Sequence, residues 1–146
     1  LAVVTAPRFD PLSPALEARI ARQRSHIAEL VRMHFGGATL TRSRADLALL
    51  QQVVDAALIP RDQTWALQAL GVVFGDALAA MQEGLAWCEV TDEFGTDPTL
   101  RFRATSVQVN ALTTISKRVE RSAAVDVSQL AEQILTFLRT RAEELG

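Results

Sequence analysis

Apolar residues recur at three- and four-residue steps over most of the chain and switch to every second position in one central stretch. The first helix is predicted over 13–35. Leu16, Ile20, Ile27, Leu30, Val31 and Phe35 approximate one face, with Arg19, Arg22, Arg24 and Arg32 mostly off it. Ser13 suits the N-cap, Pro14 suits the first helical position, and Gly36 and Gly37 stop the run. A second helix is predicted over 44–57, opened by a capping-box-like Ser43/Asp46 pair and ended by Pro60.

The third helix, about 62–82 with Asp62 as its N-cap, is apolar on every side and is therefore expected at the centre. Leu67, Leu70, Phe74, Leu78 and Met81 form one stripe, with Gly71, Gly75 and Ala79 beside it and Trp65, Ala69, Val72, Val73 and Ala80 on the far side. Each interior glycine costs roughly 1 kcal/mol relative to alanine, so close approach of another backbone is expected there. From Gly84 the period becomes two, through 86–91 and again at 100–103 and 107–110, around the turn-rich TDEFGTDP. This predicts a small antiparallel meander over about 85–110, with a bend at Ala104 and Thr105. A short helix over 111–121, capped by Asn110, and a C-terminal helix over 127–145, opened by Asp126 and Gln129, complete the pattern. Helices, then strands, then helices give an α+β fold. The expected organisation is an extended N-terminal arm over 1–12 and a single α+β domain over 13–146, with its motifs in about 64–127.

Composition narrows the functional classes. The 146 residues are 49% hydrophobic and 22% charged, with a net charge of −2, which is ordinary for a globular chain and offers no broad surface for nucleic acid or anionic lipid. One cysteine excludes an internal disulfide. The uncharged run 63–75 is short for a membrane span, and the N-terminal residues lack the pattern of a signal peptide. The expected location is the cytoplasm, although a removed leader would leave no trace. The near-neutral total hides a gradient. Residues 62–97 hold seven acids and no base, while both flanks are net basic.

Three ordered motifs, TWALQALGVVFGDAL at 64–78, DEFGTDPTLRF at 92–102 and LTTISKRVE at 112–120, resemble a bacterial family known only as a domain of unknown function. The resemblance covers 65–127 and implies that the three motifs belong to one unit; it implies no activity. That family usually carries tyrosine where this chain has Phe94.

The candidate chemistry is sparse. Asp76 is the only ionisable residue between Asp62 and Glu83 and lies opposite the main apolar stripe. It reads either as a ligand-anchoring or acid–base carboxylate, or as a structural partner of Arg101, Lys117 or meander backbone. Glu89, Asp92, Glu93 and Asp97 form an acidic loop whose spacing is not that of an EF-hand. Arg101 and Arg103 are expected to share a strand face and to meet Glu89 across the hairpin, or to grip an anion. Lys117, the sole lysine, stands with Arg118 and Arg121 on a helical face. His26 and His34 are about 80° apart around their helix, which does not suit a metal pair. Cys88 reads as an inert buried thiol. No hydrolase elbow, zinc-protease, P-loop or dinucleotide motif is present, and the third helix is too apolar to read DNA.

No catalytic residue, metal or cofactor is expected. The leading expectation is a non-catalytic binding or protein-interaction module, with Asp76, Glu89, Asp92, Asp97, Arg101, Arg103 and Lys117 as candidate binding residues. Its expected partner is a protein with a basic surface, or a second copy of the chain, rather than nucleic acid or membrane. The alternative is a small-molecule binder or enzyme using Asp76 with Arg101 or Arg103.

Overall fold

The computed structural model describes residues 6–145. It is an α+β fold of five helices and a four-stranded antiparallel sheet. In chain order the elements are β1 (Arg8–Asp10), α1 (Pro14–His34), α2 (Asp46–Asp55), α3 (Thr64–Met81), β2 (Leu85–Asp92), β3 (Gly95–Phe102), β4 (Gln108–Val109), α4 (Ala111–Glu120) and α5 (Val127–Leu145).

The central position of α3 holds. Its residues from Ala66 to Leu78 are buried except Gln68, and α4, α1, α2, α5 and β2 all pack against it. Trp65, expected on a buried side, is exposed in the first turn and meets His26 edge to face at 5.5 Å. By length and composition α3 could cross a bilayer, but 67% of it is buried inside the fold, so a core position accounts for its apolarity. The glycine row has the expected cause. A Cβ on Gly71 would lie 2.5 Å from the Ala111 carbonyl oxygen and from Leu112 Cα, so only glycine lets α4 cross α3 at this depth. At Gly75 the obstacle would be the Trp87 ring, at 2.5 Å.

The sheet order is β1-β2-β3-β4. The expected three-stranded meander gains a strand from the N-terminal arm, where Phe9 pairs with Val90 of β2. Residues 1–5 of that arm lie outside the described residues. The hairpin is also tighter than the turn-rich sequence suggests. β2 and β3 continue to the pair Asp92↔Gly95, leaving only Glu93 and Phe94 as the turn. Gly95 has φ 122°, a conformation that side chains disfavour, and the Asp92 carboxylate accepts the Phe94 N–H. Leu85, Trp87, Leu100 and Phe102 share the sheet face toward the helices, through the pairs Leu85↔Phe102 and Trp87↔Leu100.

Two helix starts differ from expectation. α2 begins at Asp46 rather than near residue 44, and no capping box forms. The buried Asp46 carboxylate turns back to accept N–H bonds from Thr41 and Arg42. α3 is capped at Gln63, without a side-chain bond from Asp62. Ser13 and Asp126 cap α1 and α5 as expected, accepting from Leu16 N–H and Gln129 N–H.

Candidate binding cleft

Asp76 is 5% exposed at the meeting point of three elements. Arg24 of α1 grips it with two bonds, Nε to Oδ2 at 2.6 Å and Nη2 to Oδ1 at 3.0 Å. Trp87 of β2 donates its indole N–H to Oδ1 at 3.0 Å, and Arg42 adds a looser contact at 3.8 Å. Arg42 has a left-handed backbone, φ 53°, and its own N–H is held by Asp46. A buried carboxylate needs such partners, and here it has them in full. The site is closed: Asp76 lines none of the three clefts described below.

The expected partners of Asp76 are therefore corrected. Neither Arg101, Arg103 nor Lys117 bonds it, so the small-molecule site built from Asp76 with Arg101 or Arg103 is not assembled. Arg101 donates Nε to the Thr105 carbonyl at 2.7 Å and lies over the Phe9 ring at 4.3 Å. Arg103 falls just past β3 with φ 55° and lies over the Phe102 ring. The expected pairing with Glu89 fails on register, since Arg101 stands opposite Ala86 and Glu89 opposite Pro98. Glu89 instead accepts the Ser13 N–H at 2.7 Å, which anchors the start of α1 to the sheet. Burial pushes the Cys88 thiol above its ordinary pKa, against the pull of the nearby Arg101 charge.

The remaining three candidate residues do converge. Asp92 and Asp97 of the hairpin and Lys117 of α4 line one cleft of about 460 Å³. Arg19 lies on its wall and donates to Gln68 Oε1 at 2.9 Å. Phe94 stands at its lip with 86% of its surface exposed. Asp92, Asp97 and Lys117 take part in no ion pair among the described residues.

This cleft runs into a second, a groove of about 670 Å³ between α4 and α5. The two share Gln108, Asn110, Thr113 and Lys117. Lys117, Arg118 and Arg121 line the groove, whose lining residues include no carboxylate, over an apolar floor of Leu130, Ile134 and Phe137. A third cleft, about 390 Å³ and mainly apolar, lies between the end of α2 and the turn after α4, where Arg61 bonds Ser122 at 2.6 Å. Among the described residues no three His, Cys, Asp or Glu side chains gather closely enough to hold a metal ion.

Sequence reasoning singled out the acidic hairpin and the α4 cations but did not join them. It missed Arg19, Gln108 and the α5 floor. The available signal was spacing: Lys117 and Arg121 lie four apart, as do Leu130 and Ile134. The members of each pair therefore stand on one side of their segment, and both pairs line the groove.

An α+β fold with a central glycine-bearing helix and an acidic hairpin beside a cleft defines the structural class. The chain belongs to the family described as Domain of unknown function (DUF3806), whose profile matches residues 46–130. That span contains α2 as well as all three motifs. Among curated proteins, none matches the chain significantly. Among solved structures it is similar to a Bacteroides thetaiotaomicron protein known from a crystal structure at 1.50 Å, with TM-score 0.81 and 15% identity over 91% of this chain. At that identity the likeness is one of fold. The chain spans about half, 48%, of that protein's length.

Proposed function

We propose that this chain is a non-catalytic binding module that engages a protein partner with a basic surface through its acidic hairpin. The observation that carries this reading is the placement of Asp92 and Asp97, which form no ion pair among the described residues, at one cleft beside a phenylalanine that is 86% exposed. Large exposed aromatics flanked by charge are typical anchors of interfaces. Asp76, the one carboxylate given an acid–base reading, is consumed by Arg24 and Trp87. A cytoplasmic setting suits the reading, since the single cysteine forms no internal disulfide.

Affinity capture compares the wild-type chain with the folded triple variant Asp92→Ala/Phe94→Ala/Asp97→Ala. The expected result is a basic protein retained by the wild type and lost by the variant. Identical captured sets would overturn the assignment of the hairpin as the interface.

A further inference from the structure

We propose that the hairpin and the α4–α5 groove form one self-complementary face, through which two copies of this chain pair about a two-fold axis. The inference rests on the reading of the hairpin as an interface and names its partner.

The two clefts are continuous and differ in charge: the first carries Asp92 and Asp97 at the hairpin, with Arg19 on its wall, and the second is lined by cations and no carboxylate. At one end stand Asp92, Asp97 and the neighbouring turn residue Glu93, with Phe94 projecting. At the other end stand Arg118 and Arg121 over an apolar floor whose Phe137 is 48% exposed. Lys117, Gln108, Asn110 and Thr113 lie between. A dyad through this shared middle lays the acidic end of each copy on the basic end of the other. Phe94 of each copy then reaches the Ile134–Phe137 floor of its mate. Both contacts form twice, which is the requirement of an isologous interface. Charge complementarity of this kind fixes orientation and excludes the like-on-like arrangement.

The sheet edges favour this face over strand pairing. The outer strand β1 is three residues long, lies between Pro7 and Pro11, and presents the ion pair of Arg8 with Asp10. The opposite edge, β4, has two residues. Short, charged, proline-flanked strands are poor templates for another chain.

Sedimentation velocity on the full chain over a concentration series tests the pairing. The wild type is expected to form a dimer and no larger species. Lys117→Glu/Arg121→Glu reverses two of the three cations that line the groove and leaves it net acidic, and Glu93→Lys/Asp97→Lys makes the hairpin end basic. Each variant alone is expected to raise the dimer dissociation constant roughly tenfold or more. An equimolar mixture of the two restores acid-on-base contact at both ends and is expected to recover the dimer. All substituted residues are exposed, and circular dichroism checks their folding. Phe94→Ala, which changes no charge, weakens the dimer independently.

A monomeric wild type overturns the inference, while capture of a different basic protein by the hairpin would leave the binding-module reading standing. A dimer indifferent to both charge variants also overturns it. Should capture be unchanged by the hairpin substitutions as well, both readings fall together. An open series of oligomers overturns the two-fold arrangement.

Discussion

At the scale of single residues, Asp76 is a buried carboxylate, 5% exposed, held by side chains from α1 and β2. Its only route to stability in a buried position is the two-pronged grip of Arg24 together with the Trp87 indole N–H. Removing one partner of such a pair leaves the other uncompensated. Asp76→Asn is expected to cost about 3 kcal/mol in urea denaturation, near the low end for buried pairs because Arg24 keeps 22% of its side-chain surface in water. The double variant Asp76→Asn/Arg24→Met is expected to lose less than the sum of the two single changes, since the residues are in direct contact. Cys88 makes a second prediction at this scale. Its pKa is raised by burial, so less thiolate is present at neutral pH than in a free thiol. Alkylation by iodoacetamide at pH 7 is expected to be slower than for an unfolded control, with the rate rising steadily into alkaline solution. A rate at pH 7 matching the unfolded chain would contradict this account.

At the scale of elements, the sequence places α3 at the centre and the structure agrees, and the agreement has a physical cause. A helix apolar all round has nowhere to sit but the centre, and glycines at its interior must be matched by a close neighbour. That neighbour is the Ala111–Leu112 backbone of α4, which cannot swing aside as a side chain can. Gly71→Ala therefore trades about 1 kcal/mol of helix propensity against overpacking of up to about 3 kcal/mol. The expected net loss is about 2 kcal/mol, measured by thermal or urea unfolding; a stabilised variant would mean that α4 does not pack at the depth described.

Other features were not legible. β1 has three residues and no alternation to count; it exists because β2 offers it an edge, which is a tertiary fact. The partner of Asp76 was hidden for a related reason. Arg24 lies 52 residues away, outside the expected set of Arg101, Lys117 and meander backbone, and only the packing of α1 on α3 sets it apart from Arg19, Arg22 and Arg32. The α2 capping box failed because the Asp46 carboxylate closes the preceding turn at Thr41 and Arg42 instead. The acidic hairpin and the α4 cations could each be read from sequence, but not their convergence, which depends on the 460 Å³ cleft that the fold creates.

At the scale of the whole molecule, the net charge of −2 conceals seven acids and no base over residues 62–97. The fold divides this acidity into two populations. Asp76 is neutralised inside by Arg24, and Glu89 is committed to the Ser13 N–H at the start of α1. Asp62, Glu83, Asp92, Glu93 and Asp97 remain on the surface. Salt separates the two populations, because exposed charges are screened over about 10 Å at 0.1 M and about 3 Å at 1 M, whereas buried pairs are screened much less. Raising sodium chloride across that range should therefore leave the melting temperature of the chain nearly unchanged, since the Arg24–Asp76 pair is largely shielded from solvent. The same titration should weaken hairpin-mediated association roughly tenfold, as expected when rim charges steer and orient an interface. Differential scanning calorimetry and sedimentation velocity on the same samples provide both readings. Association that survives high salt would assign the contact to Phe94 and Phe137 rather than to the opposed charges. A melting temperature that falls steeply with salt would mean that the exposed acids, and not the Asp76 cluster, hold the middle of the molecule together.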